Sequence, residues 1–440
     1  MILPNEKRKT NKRINVLVGF LGFLGLFGFL PSAQAFAPLT LRHAHHLFTV
    51  DADAYPHWQE PEEVWMLHGR EVRAPAELRV DGDSIPPLPP GIVRSQKAGW
   101  NRGAIERTLQ KLIATPLERA PGSVVIRRSA SGAIVFEGVG MLGREVQLSE
   151  LANLVVTAIE ADATDVEIPI NETQPQITVE DATLRNLGIT EVVTVGESDF
   201  SGSPIPRRHN ITTGMSKFNG HLIPQEEIFS FNEVLGRVDG STGYWKELVI
   251  MGEYTLPEYG GGLCQVSTTA YRGAWERGFP IIKRRNHSFA VTYYSPQGTD
   301  ATIFPPNVDM EFKNDGPSAL LIQTHIEDSK AYFIYYGTRD QRKTEMLGPY
   351  LWDFKSPPAD REELTTEIPP GERRKASDKH PGMKAAWFRF VTPPEGEEIK
   401  ERIYSAYAAR GLLYQTGVAP TPKSEEIPPE TAPLRKRKTR

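Results

Sequence analysis

The sequence feature that most constrains this chain is its single cysteine, Cys264, among 440 residues. No disulfide can form within the chain, so hydrophobic cores must stabilise its fold. A chain of this length can build two or three such cores. Cys264 lies just before apolar residues at helical spacing, and Gly278 and Pro280 end that run; these residues are Val266, Ala270, Tyr271, Ala274 and Trp275. The pattern predicts a helix with the cysteine at its N-terminus.

A thiol at the start of a helix lies where an anion is favoured, because unpaired backbone amides and the helix dipole point at it. Gly260, Gly261 and Gly262 precede it. They carry no side chains, so a substrate carbonyl can approach and its oxyanion can accept backbone hydrogen bonds. The alternative is an unreactive cysteine in the core, which is a common place for this residue. The glycines and the helix start favour a reactive thiol.

A thiol nucleophile works with a base, and His287 is the candidate that follows it in the chain. We predict that His287 begins an apolar strand and that Asp300 opens the next one, where its carboxylate can orient the imidazole. Antiparallel neighbours would bring both side chains to one end of the sheet. Arg284, close to the histidine, either pairs with a substrate carboxylate or is simply exposed.

The N-terminus has the pattern of an export signal. Basic residues precede an apolar run at residues 14–30 and the small residues Ser32-Ala33-Gln34-Ala35. The length of the run fits a cleaved signal and also a retained membrane anchor, with cleavage after Ala35 preferred. Either way we expect the remainder in the periplasm or cell envelope. The net charge of −4 gives no basis for nucleic-acid binding, and we expect a monomer.

Composition and periodicity divide the chain into six segments and predict an α+β, multidomain fold. The segments are 1–35, signal or anchor; 36–99, N-terminal segment and proline-rich linker; 100–192, a small α+β module; 193–340, a helix followed by an antiparallel sheet; 341–417, a β-rich extension; and 418–440, a disordered tail. The early histidines His43, His45 and His46 have no acidic or cysteine partner at ligand spacing. We interpret them as surface histidines and predict no metal.

The thiol-bearing segment resembles the VanW domain over about residues 200–337. The motifs that carry the resemblance are Asn210-Ile211-Thr212, Phe229-Ser230-Phe231-Asn232, Gly243-Tyr244, Gly260-Gly261-Gly262-Leu263-Cys264-Gln265-Val266-Ser267-Thr268-Thr269, Arg284 with His287-Ser288, and Gly298-Thr299-Asp300-Ala301-Thr302. Residues 100–192 resemble the peptidoglycan-binding-like domain that precedes VanW in many exported bacterial proteins. Residues 387–417 resemble their usual β-rich extension. In one departure, Gln225-Glu226-Glu227 replaces the family's Pro-Gly-Glu turn.

The resemblance implies a cell-wall role, because the family is named for its occurrence with vancomycin-resistance genes. VanW domains have been proposed to be L,D-transpeptidases that use the motif cysteine. If this activity holds for the present chain, Cys264 attacks the carbonyl of the third residue of a peptidoglycan stem peptide. His287 and Asp300 assist, and no cofactor is needed. The residues expected to bind the substrate or its oxyanion are Gly260, Gly261, Gly262, Gln265, Ser267, Thr268, Arg284 and Ser288.

Two other functions fit the same residues. A thiol endopeptidase of the NlpC type would use the same three catalytic residues and let water resolve the thioester. A non-catalytic wall-binding module would use the glycine-rich helix start to capture a stem-peptide carboxylate, with Cys264 as a packing residue. Pocket shape and water exclusion separate the two enzymatic functions, and the sequence shows neither of these properties. The binding module is distinguished by Cys264, whose replacement with serine or alanine should leave binding intact.

Overall fold

The computed structural model describes residues 36–72, 90–251 and 254–419, with the side chain of Met251 left aside. The export signal or anchor, most of the proline-rich linker and all but two residues of the tail lie outside these ranges. Within the described ranges, none of the helices combines the length and apolarity that crossing a bilayer requires.

The molecule has few helices and many short strands in small sheets, which agrees with the α+β, multidomain prediction. The helices are Arg102–Leu109, which continues through a π-helical turn at Gln110–Ala114 into Thr115–Leu117, then Leu148–Glu160, Ala182–Asn186, Ile205–Ser216, Phe231–Leu235 and Leu263–Arg277. Short 3-10 turns lie at Ala52–Ala54, Pro56–Trp58, Gly240–Thr242 and Thr292–Tyr294.

A first core joins the N-terminal segment to the helices of the α+β module. Trp58 and Leu41 are fully buried with Leu109 of one helix and Val155 of another. The edge of this core is a three-stranded sheet in the order His46–Val50, Leu39–His43, Asp165–Glu167. Residues 39–58 therefore pack with the segment that the sequence assigns to a separate module. A second sheet, Arg70–Val72, Gln59–Leu67 and Ile92–Trp100, extends from this unit.

The other half of the α+β module packs against the thiol-bearing segment. Its hairpin, Ser123–Arg128 with Ile134–Val139, buries Val124 and Ile126 against Ile334 and Tyr336. Neighbouring strands are Gln176–Val179, beside the hairpin, and the pair Gly143–Val146 with Ile170–Thr173. The predicted helices and hairpin are present, but they contribute to two different cores.

The third core surrounds the helix Leu263–Arg277, here called the central helix. It packs on a four-stranded sheet in the order Glu191–Asp199, Lys330–Gly337, Leu320–Glu327, Leu222–Ile223. The close approach occurs at Gly273, where an added Cβ would lie 2.7 Å from the Gly196 nitrogen. The helix ends at Gly278, whose φ of +93° suits glycine. The helix prediction is confirmed. Flanking strands are Ile228–Ser230, Glu311–Lys313, Ile281–Lys283 and the hairpin Lys246–Met251 with Tyr254–Tyr259.

The prediction that His287 and Asp300 begin strands is wrong. Residues 287–304 form loops with one 3-10 turn, and the next strand in the chain is Glu311–Lys313. Side chains of the central helix form hydrogen bonds with backbone groups that would otherwise pair with a neighbouring strand. Arg272, for example, donates to the carbonyls of Tyr294 and Ser295. Backbone groups satisfied in this way do not need a ladder.

The C-terminal extension is built from strands, as predicted, and it reaches into the third core. One sheet has the order Lys343–Lys355, Gly382–Thr392, Ile399–Tyr407, and the other Arg361–Thr365, Leu413–Gly417, Arg373–Ser377. Trp387 is fully buried among residues of the thiol-bearing segment, with its ring 5.5 Å from that of Trp275. The extension is thus packed onto the central helix.

The turn that departs from the family pattern keeps a left-handed residue. Glu226 stands at the position of the family's glycine and has a φ of +66°. Its amide donates to the carbonyl of Asn314 at 2.8 Å, and Lys313 pairs with its carboxylate. These contacts stabilise a backbone conformation that costs a non-glycine residue about 1 kcal/mol.

Candidate catalytic site

The loop before Cys264 is shaped by glycines and held by one buried asparagine. Gly260 and Gly262 have φ values of +82° and +114°, and a Cβ on Gly261 would lie 2.8 Å from the backbone of Glu247. The side chain of Asn210 donates to the carbonyls of Trp245 and Gly261, both at 3.0 Å. The loop therefore enters the central helix in one fixed geometry.

This geometry leaves the Cys264 amide available. The Leu263 amide donates to the Gly260 carbonyl, and the Gln265 amide donates to that of Gly262. Between them, the Cys264 amide has no acceptor among the described residues. An unpaired N–H at the predicted nucleophile would be a suitable donor for an oxyanion that forms there.

His287 and Asp300 form a buried, hydrogen-bonded pair. The Nδ1 atom of His287 lies 2.6 Å from Oδ2 of Asp300, which also accepts from the His287 amide at 2.7 Å. Both residues are at most 3% exposed. Because Nδ1 is bonded to the carboxylate, the ring is held with Nε2 as the nitrogen free for proton transfer.

The Cys264 thiol is close enough to His287 and Thr302 for both residues to lower its pKa. Cys264 is half-buried, and its sulfur contacts Oγ1 of Thr302 at 3.4 Å and the carbonyl of Ile303 at 3.7 Å. The imidazole and the sulfur perturb each other electrostatically, although Nε2 makes no hydrogen bond of normal geometry with any described residue. Such contacts are often loose before substrate binds.

The charges at the site favour a thiolate and imidazolium pair. Burial opposes ionisation of Cys264, but His287 and Thr302 outweigh it and lower the thiol pKa to about 7. Burial also opposes the charged imidazole, and Asp300 with Cys264 nevertheless raises the pKa of His287 to about 9. The pKa of Asp300 is held well below its usual range by His287 and Arg284 against the effect of burial. The thiolate and the imidazolium therefore stabilise each other's charge.

The structure brings the three predicted catalytic residues together, and their roles stay predictions. It also adds residues that the sequence analysis did not identify. The ring of Tyr294 stacks on His287 with 4.3 Å between centroids, and Thr302 contacts the sulfur. Thr302 could have been identified from the sequence, because it belongs to the motif Gly298-Thr299-Asp300-Ala301-Thr302. Tyr294 could not, because it lies at the end of the strand predicted to begin at His287.

Several residues expected to bind substrate are engaged within the protein. Gln265 is fully buried and bonded to the Asp199 carbonyl and to Arg207. The hydroxyls of Ser267 and Thr268 bond to the Ala301 backbone, which ties the central helix to the segment carrying Asp300. These three side chains stabilise the site geometry in this structure.

The side chain of Arg284 is only 7% exposed, contrary to the alternative of an exposed side chain. It donates to Oδ1 of Asp300 at 3.0 Å and to the carbonyls of Asp300 and Gly298. Its guanidinium therefore compensates the buried carboxylate. Ser288, in contrast, is exposed next to His287.

None of the early histidines is exposed, because His45 is buried and His43 and His46 are half-buried, and this corrects the interpretation of them as surface histidines. His45 is 5% exposed and its Nδ1 lies 2.5 Å from Glu276 of the central helix, while His46 contacts Glu197. His45, His46 and Glu197 place ligand-type atoms within 4.8 Å of one another. Acidic partners do exist, but they are remote in sequence. Glu197 already forms ion pairs with two arginines, Arg119 and Arg144, which compensate its charge without a metal ion.

Comparisons with known proteins relate part of the chain to one family. Residues 206–336 match the family model described as VanW like protein. The chain is 33% identical over 124 residues to the uncharacterized protein YoaR of Bacillus subtilis (strain 168), covering 28% of this chain and 41% of that protein. It is 28% identical over 126 residues to the vancomycin B-type resistance protein VanW of Enterococcus faecalis (strain ATCC 700802 / V583), covering 28% and 46%.

The chain thus spans less than half the length of each of these relatives. No solved structure matches it. The matched residues contain the central helix, the glycine loop and all three predicted catalytic residues. Residues 206–336 of this chain are a VanW-like domain.

Proposed function

We propose that this protein is an exported cell-wall enzyme, a cysteine-dependent L,D-transpeptidase that acts on peptidoglycan stem peptides. The observation that carries the proposal is the buried His287–Asp300 pair beside a thiol at a helix start, with the thiol pKa lowered to about 7. The match to a protein named for vancomycin resistance supports the cell wall as the place of action. Acyl transfer is the chemistry that such a thiol performs.

In the first half-reaction, the Cys264 thiolate attacks the carbonyl carbon of the third stem-peptide residue. The carbonyl oxygen becomes an oxyanion, to which the unpaired Cys264 amide can donate. The bond from that carbon to the nitrogen of the terminal D-alanine then breaks. His287 gives its Nε2 proton to the leaving amine, so free D-alanine departs and a thioester remains.

In the second half-reaction, the side-chain amine of another stem peptide attacks the thioester carbon. His287 accepts the proton that the amine loses, a new amide forms, and Cys264 leaves as thiolate. Asp300 stays ionised throughout and stabilises the imidazolium. The cross-link formed does not involve a D-Ala-D-Ala terminus, which is the group that glycopeptides bind.

The test is product analysis by mass spectrometry after the purified protein is incubated with disaccharide tetrapeptide. We expect a cross-linked dimer together with free D-alanine. Cys264→Ser serves as the matched control, because it changes one atom and should lose essentially all turnover.

Other products would change the assignment. A disaccharide tripeptide with no dimer would make the protein a hydrolase, and unchanged substrate would favour the wall-binding module. Equal turnover by Cys264→Ser would contradict any role of the thiol as nucleophile.

A further inference from the structure

The C-terminal extension touches the predicted catalytic carboxylate directly. Tyr407, at the end of the strand Ile399–Tyr407, is 5% exposed. Its hydroxyl donates to Oδ1 of Asp300 at 2.6 Å and accepts from the Gly298 amide at 2.7 Å. One hydroxyl thus fixes both the side chain of Asp300 and the backbone two residues before it.

The same strand and the residue that follows it also hold the segment that carries His287. Asn286 donates to the carbonyl of Ala406 at 2.8 Å, and the amide of Ala408 donates to the carbonyl of Ser288 at 2.7 Å. These bonds lie on the two sides of His287 in the chain. Residues 287–304 contain no strand that pairs with a neighbour, so the hydrogen bonds from the strand Ile399–Tyr407 and from Ala408 hold them in place.

Tyr407 completes the bonding of a buried charge. Oδ2 of Asp300 is bonded to the amide and the ring of His287, while Oδ1 accepts from Arg284 and Tyr407. Both oxygens therefore have two donors each, and the carboxylate has little freedom to rotate. Loss of the tyrosine hydroxyl would remove one of the two donors to Oδ1 and would leave the buried Gly298 amide without its acceptor.

We propose that Tyr407 is a positioning residue of the thiol site, and that the C-terminal extension completes a site whose predicted catalytic residues all lie in residues 206–336. Its effect on turnover rests on the proposed function. Its effect on the thiol does not, because the His287–Cys264 interaction exists without substrate. Tyr407 acts through Asp300 and His287 and touches no reacting atom.

Loss of the Tyr407 hydroxyl should weaken the interaction between the Cys264 thiolate and the His287 imidazolium. When the hydroxyl is lost, the loop at Gly298 and Asp300 relaxes and the imidazole is held less firmly against the sulfur. His287 then lowers the thiol pKa less, while burial still raises it, so the thiol pKa rises. Misplacement of the base lowers kcat more than it changes KM.

The experiment compares Tyr407→Phe with Tyr404→Phe in the full chain. Tyr404 lies on the same strand and is 46% exposed, so the control makes the same chemical change away from the site. The first measurement is the rate of iodoacetamide labelling of Cys264 from pH 5 to pH 10. The others are the melting temperature and, on disaccharide tetrapeptide, kcat and KM.

For Tyr407→Phe we expect the labelling midpoint to rise by about half a pH unit or more, kcat to fall about tenfold and KM to change less than about twofold. Tyr404→Phe should match the unsubstituted protein. A lower melting temperature with an unshifted midpoint would overturn the proposal, because it would show a structural role only. A shifted midpoint without turnover in any variant would support Tyr407 while removing the proposed transpeptidase function.

If Tyr407→Phe does not fold, Ser405→Ala takes its place. Ser405 accepts a hydrogen bond from Arg284 at 2.8 Å, and Arg284 in turn bonds Asp300. We expect a smaller shift of the labelling midpoint in the same direction. An unshifted midpoint in this variant would also overturn the proposal.

Discussion

At the scale of single residues, the site depends on compensated charges in a buried place. Asp300 keeps its charge because Arg284, Tyr407 and His287 all donate to it. The sequence indicated that Cys264, His287 and Asp300 belong together, since spacing and motifs mark them. It could not show the function of Arg284, because an arginine beside a predicted catalytic histidine is equally suited to binding a substrate carboxylate.

The burial of Arg284 leads to a prediction on stability. Arg284→Met removes a charge that compensates Asp300 while keeping an apolar stem. The buried carboxylate is left with His287 as its positive partner, and the carbonyls of Gly298 and Asp300 lose their arginine donor. We expect the free energy of unfolding to fall by about 3–5 kcal/mol. Urea unfolding measures it, with Arg285→Met as the control because the neighbouring Arg285 is exposed.

The substrate-binding alternative predicts a different result. If Arg284 binds a carboxylate of the stem peptide, Arg284→Met should raise KM with unfolding free energies close to those of the control. That outcome would contradict the structural role described above.

At the scale of elements, the central helix was predictable and the loops that face it were not. Periodic apolar residues and the glycines at both ends mark the helix in the sequence. Residues 287–304 are rich in residues that favour strands, and their true partners are helix side chains such as Arg272 and Thr268. Pairing of backbone with distant side chains leaves no periodic pattern, which is why the strand prediction was wrong.

The packing of the central helix on its sheet can be tested at Gly273. Alanine is the better helix former by about 1 kcal/mol, but its Cβ would lie 2.7 Å from the Gly196 nitrogen and 2.8 Å from the ring of Tyr335. Overpacking against backbone typically costs about 1–3 kcal/mol, so Gly273→Ala should lower the free energy of unfolding on balance.

The control for this change is Gly103→Ala. Gly103 lies in the helix Arg102–Leu109, and an added Cβ would meet nothing closer than the flexible end of Arg107 at 3.4 Å. We expect unchanged or slightly higher stability there. A stabilising effect of Gly273→Ala in chemical unfolding would mean that the helix and the strand are not in close contact.

At the scale of the whole molecule, the sequence indicated the fold class and the order of segments, but not how the segments share cores. Residues 39–58 join helices predicted for a separate module, and Trp387 of the extension lies in the core of the VanW-like domain. Local periodicity shows that a face is apolar and does not show what covers it. For the same reason, the contact of Tyr407 with Asp300, 107 residues away, has no local signal.

If Cys264 is an activated thiolate paired with His287, the rate of its labelling by iodoacetamide should depend on pH accordingly. The folded-state pKa of the thiol is lowered, so the reactive anion should appear with a midpoint at about pH 7. In His287→Ala the effect of burial is unopposed by the imidazole, and the midpoint should move upward by about one unit or more. A midpoint near the ordinary thiol value in the unsubstituted protein, or the same midpoint in both proteins, would contradict the account.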